Sequence, residues 1–255
     1  MSNVLFAIPR TVYGSYSDLY RLIALAGYDT VYIDEIDPSS SNTYIMTVAN
    51  GENAQGWNNP HARIILWDLE WRHDGPVPIP GLTEYWHMDA WTAGRIGARY
   101  VPVGGDARLY EEADHRPVYN VAYLGYMIPR RQQMWAWLQD RGLRLSPTSA
   151  WGKERAEVLC NSIAYLHVHQ WDNAPGVPAL RMVVAAAYGL PVISETFADE
   201  GIFSQVTLQA DFYRLAGHVA LWAQTRSDRL IAYGDALHDL LCKEYTFRKG
   251  IEASL

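Results

Sequence analysis

The chain has 255 residues, of which 49% are hydrophobic, enough to bury a large core and to exclude a globally disordered protein. Lys and Arg total 21 against 28 Asp and Glu, so the formal net charge is −7, which argues against a general nucleic-acid coat with its net basic surface. The aromatic residues are mostly 17 Tyr and 10 Trp, types that suit a core and also line carbohydrate sites.

The first half of the chain alternates short apolar runs with a helix pattern. Residues 4–8, closed by Pro9, predict a buried strand, and residues 17–27 have the apolar spacing of a helix with one buried face. A second strand is predicted at 30–33, so the chain starts with the β–α–β spacing of a parallel sheet. Later apolar runs predict further strands at 64–67, 84–87 and 100–103.

The pattern begins again after a polar bridge at residues 110–117. Strands are predicted at 119–124, 143–145, 164–168 and 192–194, and helices at 130–141, 153–160, 179–188 and over most of 209–249. Strands that alternate with helices indicate an α/β fold with parallel sheets. We therefore expect two Rossmann-like parallel-sheet domains that face a cleft, residues 1–116 and residues 117–255, with the last helix able to pack back on the first domain.

The chain carries no signal of secretion or of membrane insertion. Its two cysteines, Cys160 and Cys242, lie far apart in predicted helices and are expected to be reduced thiols. The N-terminal residues enter a strand without a basic region, so no signal peptide is predicted. The longest apolar stretch, 182–193, is shorter than the roughly 20 residues of a membrane span. We expect a cytoplasmic protein, in the host cytoplasm if the chain is viral.

Residues that follow the strands are the candidates for a site, because doubly wound sheets bind ligands beyond the carboxyl ends of their strands. In the first half these residues are acidic, and Asp68 and Glu70 face the same side. In the second half they are arginines and polar groups: Gly125, Arg130, Arg131, the segment 167–173 and, after the last strand, Glu195. Carboxylates opposite arginines suit transfer from an anionic donor to a hydroxyl, with Asp68 or Glu70 as the base and the arginines on phosphate.

Each of these candidates also has a structural interpretation. Arg130 and Arg131 open a helix, where cations are unfavourable unless an anion pairs with them, so a solvated helix start and a phosphate site both stay open. Arg181 stands near the start of an apolar helix, as a salt-bridge partner or a phosphate ligand. Trp151 can pack in the core or stack on a base, and the two carboxylates can be ordinary strand-end polarity.

Several sequence motifs are absent. Gly125 is the only glycine in the strand–turn–helix at 120–141, so the chain lacks GxGxxG there, and it also lacks GxxxxGK[ST], HExxH and GxSxG. His167 and His169 flank Val168 on a predicted strand, and we expect their rings to point to opposite faces, which is poor geometry for one metal. Neither a metal site nor a bound cofactor is predicted.

Several runs of the second half carry a family resemblance. They are VAYLG at 121–125 with Arg130 and Arg131, SIAYLH at 162–167, RMVVAAAYGLPVI at 181–193, EGIF at 200–203, the tail at 229–241 with YTFR at 245–248, and YVPVGGD at 100–106. Together they resemble the C-terminal domain of the B-fold glycosyltransferases, most closely the bacterial spore-maturation-type group. The resemblance covers residues 100–250, and the first half fits by architecture only.

The resemblance implies a nucleotide-diphosphate-sugar donor, such as a UDP-sugar, in the second domain, an acceptor in the first domain and reaction in the cleft. The positions that carry over are donor contacts: Gly125, Arg130 and Arg131 at the diphosphate, Arg181 at the helix that faces the phosphates, Trp151 and His167 near the base, and Asp172 and Asn173 near the sugar. The nucleotide-sugar is a co-substrate, and no other cofactor is implied.

The chain departs from the family pattern at two places. Many members keep glutamates for the sugar and the ribose, and the corresponding positions here fall near Gly176 and at Val184. A valine cannot hydrogen-bond ribose hydroxyls, so either the donor contacts or the activity itself differs. Our hypothesis from the sequence is that Glu195 or Asp199 compensates.

Three functions therefore stay open. The first is a glycosyltransferase, a hexosyl- or pentosyl-transferase, whose acceptor is a glycan, a protein or a modified base in viral DNA. The second is a nucleotide-sugar-binding module without catalysis, and the third is a sugar-nucleotide epimerase of the same architecture. A DNA acceptor needs only a local basic groove, and the candidates for it are Arg10, Arg72, Arg95, Arg99 and Arg108.

Overall fold

The computed structural model describes residues 3–10, 16–37, 39–48, 60–69, 81–114, 118–148, 150, 152–172, 176–198, 201–224 and 227–255. These residues form α/β structure with parallel sheets, which confirms that part of the predicted fold class. The chain divides into two compact units, one of Met1–Gly104 with Phe247–Leu255 and one of Gly105–Thr246.

The described residues form the following elements in chain order. The strands are β1 (Val4–Ile8), β2 (Asp29–Tyr32), β3 (Thr43–Val48), β4 (Arg63–Asp68), β5 (Glu84–His87), β6 (Arg99–Tyr100), β7 (Tyr119–Ala122), β8 (Ser162–His167), β9 (Val192–Glu195) and β10 (Thr207–Ala210). The helices are α1 (Tyr16–Leu25), α2 (Ala90–Ile96), α3 (Pro129–Gln139), α4 (Gly152–Cys160), α5 (Ala179–Ala187), α6 (Phe212–Trp222), α7 (Asp228–Asp239) and α8 (Phe247–Ser254).

The first unit contains a parallel sheet in the order β2-β1-β3-β4-β5-β6. The last five residues of β4 are buried, because a central strand of a parallel sheet is covered on both faces. β4 and β5 pair in a register that places Asp68 opposite His87. Two polar side chains therefore stand together at the carboxyl ends of neighbouring strands.

The closing helix α8 belongs to this first unit. The Phe247 ring packs against Phe6 and Trp67, with ring centroids 5.9 and 5.7 Å apart. Arg99 Nη1 donates to the carbonyl oxygen of Ser254 at 2.5 Å, near the end of the helix. A cation at a helix C-terminus is favourable, because the carbonyl groups there carry partial negative charge.

The second unit contains a parallel sheet in the order β10-β9-β8-β7. All six residues of β8 are buried, and α5 buries every residue except Arg181. A helix that is apolar almost all round packs in the interior of its unit. The carboxyl ends of β7, β8 and β9 and the start of α5 meet at one edge, which is where the candidate site lies.

The division between the units lies closer to the N-terminus than the predicted boundary after residue 116. The Gly105 amide donates to the Leu241 carbonyl oxygen at 2.8 Å, and the Glu111 amide donates to the Tyr188 hydroxyl at 3.2 Å. The segment that follows Gly104 is thus hydrogen-bonded to the second unit. A polar composition at 110–117 marked a linker in the sequence but did not show which unit holds it.

Several elements differ from the sequence-based expectation. β3 and α2 were not predicted. The Thr, Tyr, Ile and Val of β3 favour a strand, so this one was missed although its composition indicates it. α2 contains Gly94 and few strong helix formers. The predicted strand at 143–145 is only a bridge between Val121 and Leu145. β6 ends at Tyr100, although the Val101 amide still donates to the His87 carbonyl oxygen at 2.9 Å. Residues 209–210, predicted as the start of the helical tail, belong to β10.

Cys160 and Cys242 are both free, the first buried and the second partly buried. None of the helices in the described part of the chain is long and apolar enough to cross a membrane.

Candidate functional site

Gly125 forms a turn directly after β7 and lets Arg181 approach the backbone. Its φ of 156° is one that residues with a Cβ rarely adopt. A Cβ at this position would lie 3.1 Å from the Tyr123 hydroxyl and 3.2 Å from Arg181 Nη2. Glycine is therefore required for both the backbone conformation and the place that the guanidinium occupies.

Arg181 reaches this turn from the first turn of α5. It hydrogen-bonds the Tyr123 hydroxyl. Burial raises the pKa of Tyr123, and the positive charge of Arg181 partly offsets this rise. The start of a helix carries partial positive charge, so Arg181 adds a cation where an anion is already favoured.

Arg131 lies beside the same tyrosine and is buried, with 6% of its surface exposed. Its Nε donates to the Val168 carbonyl oxygen at 3.1 Å and its Nη1 to the Tyr126 carbonyl oxygen at 3.0 Å. Burial is the main cause that lowers the pKa of Arg131, and the nearby charge of Arg181 acts in the same direction.

No carboxylate among the residues described in the structure forms an ion pair with Arg131 or Arg181. Buried or half-buried charges are normally paired, because taking a charge out of water is costly. Two guanidinium groups without an acidic partner therefore form a site in which an anionic ligand would supply the missing charge.

Arg130, next in sequence, has a different environment. Its Nη1 and Nη2 donate to the two Glu195 oxygens at 2.6 and 2.5 Å, and its Nε donates to Asp172 at 2.6 Å. The guanidinium also lies 3.7 Å from the centre of the Phe212 ring. The anion that pairs with this cation at the start of α3 is thus a protein carboxylate. Both Glu195 oxygens, which could otherwise contact a ribose, are already hydrogen-bonded.

His167 and His169 correct one of the sequence-based predictions. Their ring centroids are 5.1 Å apart, and His167 Nε2 lies 3.3 Å from His169 Nδ1. The expectation of opposite faces is wrong, because residues two apart on an extended chain share a face. Across the described ranges, no group of three His, Cys, Asp or Glu side chains is placed to hold a metal ion.

The hydrogen bonds of the histidine pair determine its tautomers. His169 Nε2 lies 2.9 Å from the Thr196 carbonyl oxygen, so this nitrogen carries a proton, and His169 Nδ1 accepts from His167 Nε2. His167 Nδ1 is then a buried acceptor, and no described group bonds to it. Burial lowers the pKa of His167 well below its usual value, and the charges of Arg181 and Arg131 contribute.

The proposed base Asp68 is fully buried at the end of β4 in the first unit. Its Oδ2 accepts a hydrogen bond from the Tyr85 hydroxyl at 2.7 Å. Nearby, His87 Nδ1 accepts from the Asp89 amide at 3.1 Å, and Asp89 accepts from the Thr92 amide to cap α2. The structure thus gives Asp68 structural partners and does not place it at the surface.

Some of the predicted site residues lie outside the described ranges. These are Glu70, Trp151, Asn173 and Asp199. At the positions of the two family glutamates, Gly176 is half-buried and Val184 is buried on α5, so Val184 offers no polar group.

Sequence reasoning gave no role to Tyr123 or Phe212. Tyr123 could have been found from its place two residues before Gly125, whereas Phe212 is remote in sequence from Arg130.

The arginines proposed for a DNA groove mostly have partners. Arg10 pairs with Asp34 and Glu35, and Arg108 pairs with Asp106. Arg99 donates to the end of α8, Arg95 lies 4.5 Å from the Trp91 ring, and Arg72 is outside the described ranges. The described members of this set therefore do not form an unpaired basic groove.

Comparisons with known proteins connect the fold to glycosyltransferases. AviGT4, a glycosyltransferase involved in avilamycin A biosynthesis, is 12% identical with a TM-score of 0.60, over 99% of this chain and 96% of that one. The DNA-modifying enzyme β-glucosyltransferase is 10% identical with a TM-score of 0.58, over 99% of each chain. A mutant of T4 phage BGT in complex with UDP-glucose is 12% identical with a TM-score of 0.59, over 100% of this chain and 99% of that one.

No family model matches the sequence, and no curated protein matches it. At these identities the similarity is one of fold. The chain therefore shares the fold of these glycosyltransferases, as the resemblance to the B-fold superfamily predicted, while the closeness to the spore-maturation-type group stays a prediction.

Proposed function

We propose that this protein is a glycosyltransferase that moves a sugar from a nucleoside-diphosphate-sugar to a hydroxyl acceptor. The observation that carries the proposal is the pair of guanidinium groups, Arg131 and Arg181, that lack a carboxylate partner in the described structure at the carboxyl edge of a parallel sheet. The fold supports it, because the similar structures are glycosyltransferases and one of them holds UDP-glucose. A UDP-sugar is accordingly the donor that we propose.

In this mechanism the two arginines bind the diphosphate, and Gly125 leaves room for the Arg181 guanidinium at the turn. Charge grows on the diphosphate as the bond to the sugar breaks, so fixed cations stabilise the transition state more than the ground state. The backbone amides in the first turn of α5 can also donate hydrogen bonds to the diphosphate, and they carry partial positive charge like the arginines. Since the arginines supply the positive charge, we propose that transfer needs no divalent cation, which activity in the presence of a chelator would check.

Deprotonation of the acceptor hydroxyl is the second requirement if the reaction inverts the sugar. Asp68 and Glu70 are the proposed bases, and the burial of Asp68 against Tyr85 favours Glu70 of the two. If the reaction retains configuration, no separate base is needed, and stabilisation of the leaving diphosphate carries the rate.

The test replaces Arg181 with methionine, which keeps much of the length of the side chain but removes its charge. Loss of a charged hydrogen bond to phosphate should weaken UDP and UDP-sugar binding about 10- to 100-fold, measured by calorimetry. Arg141→Met is the matched control, because Arg141 is an exposed arginine of the same unit that donates to the Trp137 carbonyl oxygen. Equal binding by Arg181→Met and the control would overturn the proposal.

Turnover separates the transferase from its alternatives. Release of UDP from one sugar donor, faster when an acceptor is present, supports the enzyme. The buried Val184 and the engaged Glu195 favour a second candidate, a nucleotide-sugar-binding module. Tight binding without UDP release from a panel of donors and acceptors would support that module, and epimerisation of the free donor would support an epimerase.

A further inference from the structure

Three exposed aromatic side chains lie along the carboxyl-end edge of the second sheet. Tyr126 (85% exposed) follows β7, Trp171 (54%) follows β8, and Tyr213 (82%) follows β10 at the start of α6. In the strand order β10-β9-β8-β7, with about 4.8 Å between neighbouring strands, these positions span roughly 14 Å of one edge. We call Tyr126, Trp171 and Tyr213 the aromatic edge.

Residues next to the aromatic edge are held by hydrogen bonds and ring contacts. Arg130 binds Asp172, the neighbour of Trp171, and lies over Phe212, the neighbour of Tyr213. The Tyr213 ring contacts Phe212 and Trp137, with ring centroids 5.5 and 6.4 Å away. The Tyr126 carbonyl oxygen accepts from Arg131. The Tyr213 ring is therefore held by two other rings, whereas Arg131 and Arg130 hold the chain at Tyr126 and beside Trp171 next to the anion site.

The charges beside the rings are acidic or paired. The Asp172 side chain is 90% exposed and uses Oδ1 for Arg130, so its second oxygen can accept another hydrogen bond. Asp211, 54% exposed, precedes α6 and pairs with Arg214 at 3.4 Å. A polyphosphate chain would meet these carboxylates, because Arg130 and Arg214 already have acidic partners. Arg131, which donates to the Tyr126 carbonyl oxygen, belongs to the proposed diphosphate site.

We infer that the aromatic edge docks a neutral saccharide chain. The C–H faces of sugar rings pack on aromatic rings, and their hydroxyl groups donate to exposed carboxylates, so the ligand class matches both the rings and the charges. A single-stranded nucleic acid would also stack on aromatics, but it needs positive charge all along its backbone. Among the described residues of this edge, the arginines without a carboxylate partner are confined to the Tyr126 end, whereas carboxylates stand beside Trp171 and Tyr213. That this saccharide is the acceptor of the sugar rests on the proposed function. That it docks on the aromatic edge does not, because docking needs no nucleotide-sugar donor.

The experiment measures binding of neutral hexasaccharides of glucose, mannose or galactose to the full chain without a donor, using calorimetry. Trp171→Ala and Tyr213→Ala should each weaken the binding of at least one of them about five- to tenfold, the value of one lost stacking contact. Leu221→Ala is the matched control, since Leu221 is 73% exposed on the same helix as Tyr213 but lies near its other end. Binding should not change between roughly 50 and 200 mM salt, as expected for an uncharged ligand.

Two results would overturn the inference. One is that no hexasaccharide binds more tightly to the unaltered chain than to Trp171→Ala. The other is that a single-stranded DNA dodecamer binds with strong salt dependence and loses affinity in the Trp171 and Tyr213 variants. Arg181→Met keeps the two proposals separate, because it should weaken UDP binding about 10- to 100-fold and leave saccharide binding unchanged. Trp171→Ala should instead weaken saccharide binding about five- to tenfold and leave UDP binding unchanged.

Discussion

Neighbouring arginines in one helix turn have different tasks in this protein. Arg130 is neutralised by Glu195 and Asp172, whereas Arg131 is buried without a carboxylate partner among the described residues. From their sequence positions alone, both arginines were predicted to be phosphate ligands. The partners that distinguish them lie 42 and 65 residues away, so only the folded chain separates the structural arginine from the binding arginine.

The Arg130–Glu195 pair provides a prediction at the same scale. Both side chains are mostly buried, so Glu195→Gln leaves a guanidinium with only the exposed Asp172 as partner and should cost about 2 kcal/mol of unfolding free energy. The measurement is urea unfolding followed by circular dichroism. Glu252→Gln, in the exposed pair with Arg248, should cause no measurable change. An equal loss in both variants would show that burial of the pair does not matter.

Among the helices, α7 is positioned by a close backbone approach. A Cβ on Gly234 would overlap the Gly189 carbonyl oxygen and come within 3.2 Å of the Pro191 nitrogen. The Gly-Leu-Pro run that ends α5 therefore packs directly on α7, which requires glycine at this position in spite of its low helix propensity.

Replacement of two helical glycines tests this packing. Gly234→Ala should lower the unfolding free energy by about 2 kcal/mol, because neither backbone segment can move away cheaply. Gly217→Ala on α6 is the control, since no described atom outside the adjoining residues and the helix's own backbone lies within 4 Å of the place that the new methyl group would take. This variant should raise the stability by about 0.5–1 kcal/mol. Thermal unfolding midpoints that shift in opposite directions are expected, and a shift in the same direction would contradict the packing argument.

For the whole molecule, the sequence predicted the class of fold better than its boundaries. Apolar runs identified β4, β8 and α5, whose residues are almost all buried. The sequence also identified β1 and β5, in each of which two residues are buried. The return of α8 to the first unit rests on the contacts of Phe247 with Phe6 and Trp67, which have no local signal. Arg131 and Arg181 were predicted by residue type, but that no carboxylate of the described ranges pairs with them is a property of the fold.

We expect the buried histidine pair to make the stability of the second unit sensitive to acid. Burial lowers the pKa of His167 and His169 in the folded state, so the unfolded chain takes up protons first as the pH falls below about 6.5. Their contribution to stability is complete above that pH and is lost toward the lower folded pKa, at up to about 1.4 kcal/mol per pH unit for each ring. Urea unfolding at pH 7.5 and 5.5 should show this loss, and His167→Leu should reduce the difference while the exposed His61→Gln retains it. If the free energy of unfolding of His167→Leu fell between pH 7.5 and 5.5 by as much as that of the unaltered chain, groups other than this ring would control the acid sensitivity.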